Sequence, residues 1–201
     1  KWEFDDYEYQ TVYFAYQYPV RTITLGEDIF DTSLDNEGKA RIMATTGGTY
    51  DNDQDVFIDF EVDNSLTEGL VFDDSGQPVQ AMPENYYTLE SNEIRIPQGE
   101  LTGGVELQLS DAFFADSLAI GRNYVIPLQM TNVVSADSIL RGIPQVTNPR
   151  KPVAEDWDVL PKDFILYAVK YVNPWHGYYL RRGVDEIEGT TGNENLDDTV
   201  I

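Results

Sequence analysis

The stretch Val56-Phe57-Ile58-Asp59-Phe60-Glu61-Val62-Asp63 decides the fold of this chain. Its even-numbered positions are all apolar, whereas Asp59, Glu61 and Asp63 are acidic. Successive side chains of a β-strand point to opposite faces of the sheet, so this alternation predicts a strand with one buried and one solvated face. The predicted buried face consists of Val56, Ile58, Phe60 and Val62.

Similar short segments recur at regular intervals along the first 134 residues, with turn-forming clusters such as Asp35-Asn36-Glu37-Gly38 between them. Strands of this length and spacing predict an all-β sandwich. Pro127 falls inside one segment and cannot donate a ladder hydrogen bond, so we place that strand at a sheet edge or a bulge. A short helix is predicted around Ser110 to Ser117. The further predicted strands are Thr11–Tyr18, Val20–Leu25, Ala40–Ala44, Tyr86–Leu89, Glu93–Ile96, Val105–Leu109 and Tyr124–Met130.

The composition excludes several functional classes. The chain has no cysteine, which excludes disulfides, zinc ribbons and thiol catalysis. Its 13 Lys and Arg face 36 Asp and Glu, a formal net charge of -23, so nucleic acid and anionic lipid are not expected partners. No segment is apolar for long enough to span a bilayer. Because the chain opens at Lys1, we expect a mature fragment from which a signal peptide has been removed.

The run Asn148-Pro149-Arg150-Lys151-Pro152 interrupts the strand pattern with two prolines and a concentration of positive charge. We interpret it as a domain edge. The prediction is a sandwich domain over residues 1–147, a linker over 148–161, and a β-hairpin with a tail over 162–201. The apolar run Phe164–Val172 then belongs to the start of an incomplete second β domain.

Catalytic chemistry has little support in the sequence. His176 is the only histidine and the chain has no cysteine, so nucleophilic triads have little support. With 36 acidic residues, the presence of a carboxylate pair is uninformative. We therefore expect a protein that is not an enzyme, with no catalytic residues.

One acidic run resembles the opening of a calcium-binding loop. Asp51, Asp53 and Asp55 alternate as the first ligands of such a loop do, and calcium prefers clustered oxygen ligands. The positions where an EF-hand needs Gly and Glu are occupied by Val56 and Val62. The three aspartates are therefore either calcium ligands or part of a polar hairpin loop, and no other cofactor is expected.

Aromatic residues suggest a saccharide ligand, because flat rings stack on the apolar faces of sugars. The chain has 13 Tyr, 9 Phe and 3 Trp. The alternative is that these rings pack between strands. The candidate stacking residues are Trp157, Trp175, Tyr178 and Tyr179.

Several motifs, in the same order, resemble the N-terminal domain of Bacteroidetes surface lipoproteins of the DUF1735 type, a domain of unknown function. The resemblance covers most of residues 10 to 145. The motifs that carry it are Tyr18-Pro19-Val20-Arg21-Thr22-Ile23-Thr24-Leu25-Gly26-Glu27, Ser33-Leu34-Asp35-Asn36, Ala44-Thr45-Thr46-Gly47-Gly48-Thr49-Tyr50, Pro83-Glu84-Asn85-Tyr86-Tyr87-Thr88-Leu89, Ile94-Arg95-Ile96-Pro97-Gln98-Gly99-Glu100, Asp111-Ala112-Phe113-Phe114 and Tyr124-Val125-Ile126-Pro127-Leu128.

The resemblance implies an immunoglobulin-like antiparallel sandwich that is exported and held on the outer membrane, at the cell surface, by a lipidated cysteine upstream of Lys1. It further implies a non-catalytic role in a polysaccharide-utilisation system, with a polysaccharide or oligosaccharide as ligand and SusC- and SusD-like proteins as partners. Two alternatives stay open: a structural or protein-interaction module, and the accessory domain of a glycoside hydrolase. The position and exposure of the candidate aromatic rings discriminate between sugar binding and a spacer role.

Overall fold

The structure is a computed structural model that describes residues 8–15, 20–72 and 75–175, together with the backbone of four short strands near the end of the chain. Its two short α-helices are α1 (Ser33–Asn36) and α2 (Asp111–Ala115). Single 3-10 turns lie at Asn64–Thr67, Glu84–Tyr86, Ser117–Ile120 and Ala154–Asp156. The strands are β1 (Thr11–Phe14), β2 (Val20–Thr24), β3 (Lys39–Gly47), β4 (Val56–Val62), β5 (Gln80–Ala81), β6 (Tyr87–Leu89), β7 (Glu93–Ile96), β8 (Thr102–Leu109), β9 (Tyr124–Val134), β10 (Ser138–Ile139), β11 (Ile143–Pro144), β12 (Trp157–Val159), β13 (Phe164–Val172), β14 (Asp185–Ile187), β15 (Thr190–Thr191), β16 (Glu194–Asn195) and β17 (Asp198–Val200).

Two sheets form the sandwich. The first has the order β10-β1-β3-β8-β6, and the second has the order β2-β13-β9-β4-β7, with β5 also paired to β9. Immunoglobulin domains divide their strands into A, B, E, D and C, F, G, and this chain reproduces that division as β1-β3-β8-β6 and β4-β9-β13. The predicted all-β, immunoglobulin-like sandwich is confirmed. Most pairs are antiparallel, but β1 with β10, β2 with β13 and β5 with β9 are parallel.

The core lies between the facing sheets and is built from alternate positions of their strands. In β4 the alternation places Val56, Ile58 and Phe60 in this core, all at most 4% exposed. Val62, the fourth member of the predicted buried face, is 40% exposed because it ends the strand beside an open groove. The core layer is completed chiefly by Ile42, Val105 and Leu107 from the first sheet and Ile126, Leu128, Met130 and Val169 from the second.

Pro127 lies in β9, a central strand flanked by β13 and β4, so the predicted edge position is wrong. The alternative prediction, a bulge in this strand, agrees with the structure: Asp59 and Phe60 pair with Asn132 and Met130, so Thr131 is an extra residue in β9. The Pro127 carbonyl accepts a hydrogen bond from the Asp63 amide at 3.0 Å, while the Asp63 carbonyl accepts from the Leu66 amide at 3.2 Å. In a regular antiparallel ladder the Asp63 carbonyl would accept a hydrogen bond from the backbone N–H of residue 127, which proline lacks. Proline is tolerated because β4 has just ended and the 3-10 turn supplies the donor.

The predicted domain boundary is also wrong for residues 148–172. Strand β13 pairs with β9 on one side and β2 on the other, so Phe164–Val172 completes the sandwich and does not start a second domain. The predicted linker is folded as well, because β12 pairs with β11 and the Lys162 amide donates to the Leu140 carbonyl at 2.9 Å. The apolar run is buried by partners far away in sequence, which local composition does not reveal.

The chain after β13 carries two further antiparallel pairs, β14 with β17 and β15 with β16. The predicted turn and hairpin beyond Trp175 fall on residues 176–184, which lie outside the described residues. A second unit in this part of the chain stays a prediction. Among the residues that the structure describes, no helix is long and apolar enough to cross a membrane.

Candidate functional site

A groove lined by both charged and apolar residues opens beside the end of β4, between the loop that follows this strand and the loop that precedes β12. We call it the Arg150 groove. Its volume is about 600 Å³, within the range of small-molecule sites. Its lining residues are Asp63, Ser65, Leu66, Glu68, Gly69, Pro149, Arg150, Lys151 and Pro152.

The Arg150 backbone is fixed on both sides. Its amide donates to Asp156 Oδ2 at 2.8 Å, and its carbonyl accepts from Trp157 Nε1 at 2.9 Å and from the Val153 amide at 3.1 Å. Asn148, at the start of the loop, has a φ of 59°, a left-handed conformation that asparagine tolerates better than most residues. The groove wall is therefore built by specific hydrogen bonds.

Lys151 is held by a buried carboxylate. Its Nζ lies 2.6 Å from Asp163 Oδ2, and the Asp163 side chain is fully buried. Gln129 Nε2 donates to the same oxygen at 2.9 Å, and Arg141 Nη1 lies 3.8 Å from it. Asp163 precedes β13 directly, so this cluster ties the groove to the central strands of the second sheet.

The Arg150 guanidinium has a different environment. Its Nη2 donates to the backbone carbonyl of Glu68, which joins the two loops across the groove. Within the described part of the chain, no carboxylate forms an ion pair with it. The Asp63 carboxylate caps its own turn, accepting from the Ser65 amide at 3.0 Å and the Ser65 hydroxyl at 2.6 Å. The groove thus presents a guanidinium whose remaining N–H groups are available to a ligand.

The four predicted stacking residues do not form one platform. Trp157 is half-buried, and its indole N–H donates to the Arg150 carbonyl, so this ring contacts the loop that forms one wall of the groove without being one of the lining residues. Trp175 is 79% exposed but follows the far end of β13, whose nine residues separate it from the groove by roughly 30 Å at 3.3 Å per residue. Tyr178 and Tyr179 lie outside the described residues.

The predicted calcium ligands are also divided. Asp51 and Asp53 line a second cleft of about 390 Å³ at the other end of β4. Asp55 is absent from that lining: its Oδ2 lies 2.7 Å from Arg95 Nη2, and its Oδ1 accepts from the Gln98 amide at 2.8 Å. The Gln98 amide, followed by Arg95, lowers the pKa of Asp55 below its usual value. Among the described residues no group of three or more acidic or histidine side chains could hold a metal ion.

The sequence predicts Trp157 as a stacking residue but does not predict the groove whose wall it contacts. The Asn148-Pro149-Arg150-Lys151-Pro152 run stands out by its positive charge, yet its composition predicts a linker. The two prolines and the charge are the available signal for a rigid, exposed loop. Its opposite wall, Asp63 to Gly69, is about 80 residues away in sequence, and no local pattern connects the two.

Comparison with known proteins places the chain in a family. A family model described as an N-terminal domain matches residues 7–137, which is more than half of the chain. The chain belongs to this family. The match agrees with the predicted relationship to Bacteroidetes N-terminal domains of unknown function, and it contains the Asp63 wall of the groove but not the Arg150 wall. No protein of curated function matches.

Solved structures similar to this family member come from Bacteroides. One from Bacteroides ovatus, of unknown function, is 55% identical with a TM-score of 0.86, and the match covers 96% of this chain and 61% of that one. This chain therefore spans less than two thirds of that relative's length.

Two more distant structures have lower scores. A multidomain protein including DUF1735 from Bacteroides ovatus is 16% identical with a TM-score of 0.47, covering 85% of this chain and 47% of that one. An auxiliary nutrient binding protein from Bacteroides thetaiotaomicron is 17% identical with a TM-score of 0.43, covering 91% and 55%. Likenesses at this level carry no argument about function.

Proposed function

We propose that this protein is a non-catalytic binding module that holds a saccharide in the Arg150 groove. The observation that carries the proposal is the groove itself, a depression of about 600 Å³ lined by both charged and apolar residues, whose Arg150 loop is held by the half-exposed Trp157 indole. Hydroxyl and carboxylate oxygens of Ser65 and Glu68 can bind sugar hydroxyls, while Pro149, Pro152 and Leu66 offer apolar contact.

The proposed setting is the outer surface of a Bacteroidetes cell, where the full-length protein is anchored by a lipidated cysteine upstream of Lys1. Membership of the family supports this setting, since the chain shares its N-terminal domain. In this setting the module serves a polysaccharide-utilisation system and works beside SusC- and SusD-like proteins. The ligand is a polysaccharide or an oligosaccharide, and bound calcium is not required by the groove.

The test is binding of the purified chain to a panel of short plant, host and fungal oligosaccharides, measured by calorimetry. Stacking contacts contribute about 0.5–1.5 kcal/mol beyond area burial, so Trp157→Ala should weaken binding roughly threefold to tenfold. Trp175→Ala is the matched control, because that ring is exposed at the other end of β13 and should leave affinity unchanged.

Trp157 also supports the loop, so a second variant separates stacking from folding. Trp157→Phe keeps an aromatic ring but removes the hydrogen bond to the Arg150 carbonyl. If this variant melts like the parent and retains most of the affinity, the loss in Trp157→Ala is due to the ring. Binding that depends on Trp175 and not on Trp157 would contradict the proposed site.

A second candidate function is contact with another protein, supported by an exposed apolar loop tip. Ile29 is 88% and Phe30 72% exposed, in a loop held by the Thr32 hydroxyl donating to the Gly26 carbonyl at 2.7 Å. Adjacent exposed apolar side chains of this size are typical of contact sites on protein surfaces. An apolar protein surface is the matching partner, and failure of the whole saccharide panel would favour this function.

A further inference from the structure

We propose that the saccharide bound by the Arg150 groove is acidic and that Arg150 binds its carboxylate. This inference rests on the proposed saccharide site and adds the charge of the ligand. The chemical class is a short oligosaccharide that contains a uronic acid.

Several cations elsewhere in the molecule form ion pairs with carboxylates, whereas Arg41 and Arg150 have none within the described part of the chain. Arg21 pairs with Asp35, Arg95 with Asp55, and Lys39 with both Glu37 and Glu106. Arg150 lies in a groove that contains Glu68, yet its guanidinium bonds only the neutral Glu68 carbonyl among the described residues.

The two adjacent cations of the loop, Arg150 and Lys151, have different roles. Lys151 Nζ is 2.6 Å from Oδ2 of the buried Asp163, so the charge of Lys151 is already paired with a carboxylate of the protein. Arg150 is exposed, and its backbone is held by Asp156, Val153 and Trp157. The loop is therefore positioned by the Arg150 backbone, which leaves the side chain free to act on a ligand without loss of support.

The Arg150 guanidinium has donors that suit a carboxylate. Among the described residues, only the Glu68 carbonyl is bonded to the guanidinium, through one N–H of Nη2. The second N–H of Nη2 lies parallel to an N–H of either Nε or Nη1, so one fork of two donors remains. A carboxylate accepts both parallel N–H bonds of such a fork and carries the opposite charge, whereas a sugar hydroxyl is neutral and cannot accept the two bonds as a planar pair. A carboxylate-bearing sugar is the ligand that uses this arrangement best.

The net charge of -23 limits the length of the acidic ligand that the groove can bind. Repulsion between separated charges is screened over about 8 Å at physiological salt, whereas a direct contact is screened much less. A long polyanion would lie against other acidic surface, so the groove favours a short acidic oligosaccharide or a single uronate in a largely neutral chain.

The experiment compares trigalacturonate with its fully methyl-esterified form, which keeps the sugar and removes the charge, and repeats the pair with glucuronate-containing trisaccharides. The parent chain should bind the acid at least tenfold more tightly than the ester, as expected for a charge-assisted contact. Arg150→Gln should remove this difference and Arg150→Lys should retain part of it. Arg41→Gln is the control, because Arg41 is exposed on β3, outside the groove, and has no ion pair within the described part of the chain.

The outcomes separate this inference from the function on which it rests. Equal binding of acid and ester, unchanged in Arg150→Gln, would overturn the inference while a saccharide site that depends on Trp157 survives. Binding of neutral sugars alone would also overturn the inference and leave the saccharide site standing. Absence of binding to every saccharide would overturn both. Thermal melting of each variant shows that it is folded, and Arg150→Gln should fold because the backbone contacts of residue 150 remain.

Discussion

Asp163 is a fully buried carboxylate on which the shape of the groove depends. Its Oδ2 gathers Lys151 Nζ at 2.6 Å and Gln129 Nε2 at 2.9 Å, with Arg141 at 3.8 Å. A buried ion pair adds little stability relative to an apolar replacement, but removing one partner leaves an uncompensated charge. The cluster therefore acts chiefly to fix where the Arg150 loop meets the sheet.

We predict that Lys151→Met lowers the free energy of unfolding by about 3 kcal/mol, the low end of the usual cost, because Arg141 remains near the carboxylate. Urea denaturation followed by fluorescence measures the change. The double variant Lys151→Met with Asp163→Asn should be more stable than Lys151→Met alone, since the buried charge is gone. A single variant as stable as the parent would contradict this account of Asp163.

Asp116 supports the other end of β9 through two tyrosines. Its Oδ2 accepts from the Tyr124 hydroxyl at 2.6 Å and from the Tyr86 hydroxyl at 3.0 Å. The bond from Tyr124 is the main cause that lowers the pKa of Asp116 below its usual 3.8, and the same bond raises the pKa of Tyr124 to about 12. Because its pKa is lowered, the Asp116 carboxylate stabilises the native state at a pH above its pKa in the unfolded chain. This stabilisation is lost as the pH falls through its pKa in the folded protein.

We predict that Tyr124→Phe raises the pKa of Asp116 towards 3.8, as measured by a carbon-detected NMR titration of the carboxyl group. At neutral pH this variant should be less stable than the parent. The difference in the free energy of unfolding should disappear below the pKa of Asp116 in the folded parent, where the carboxyl is protonated in both proteins. Tyr86→Phe should give a smaller rise, because its hydrogen bond is the weakest cause of the lowered pKa. An unchanged pKa in Tyr124→Phe would show that the hydroxyl is not the source of the shift.

At the scale of elements, the sequence predicts strands better than it predicts their partners. The alternation in β4 is sufficient to predict that strand, because one face meets the core and the other meets solvent. Strand β7, Glu93–Ile96, is predicted with its observed bounds. The β13 segment is predicted as a strand but assigned to the wrong unit, because β9 and β2 lie far from it in sequence. The groove escapes prediction for the same reason, since its walls approach only after the sheets form.

Strand β13 gives the element-scale prediction. A chain ending at residue 161 loses Tyr167, Val169 and Tyr171 from the core, each at most 8% exposed. Burying such side chains contributes about 1.5–3 kcal/mol each, so their sum is comparable with the roughly 5–15 kcal/mol of a whole domain. We expect this shortened chain to lack a cooperative thermal transition, whereas a chain ending at residue 175 should retain one. Cooperative melting of the shorter chain would contradict the assignment of β13 to the sandwich.

At the scale of the whole molecule, the groove and the continuation of the chain lie at different ends of β13. The groove contacts the residues just before this strand through Asp163, whereas Trp175 follows its end. The relative from Bacteroides ovatus is matched over 61% of its length, so further structure accompanies this module there.

The central claim, a saccharide in the Arg150 groove, is tested most directly by following the Trp157 indole N–H in nitrogen-labelled protein while short oligosaccharides are added one at a time. This N–H donates to the Arg150 carbonyl at 2.9 Å, so its resonance reports on the groove wall. We expect a saturable shift of the Trp157 indole N–H resonance and of the Arg150 amide resonance, with the Trp175 resonance unchanged. A shift of Trp175 alone, or no shift with any oligosaccharide, would contradict it.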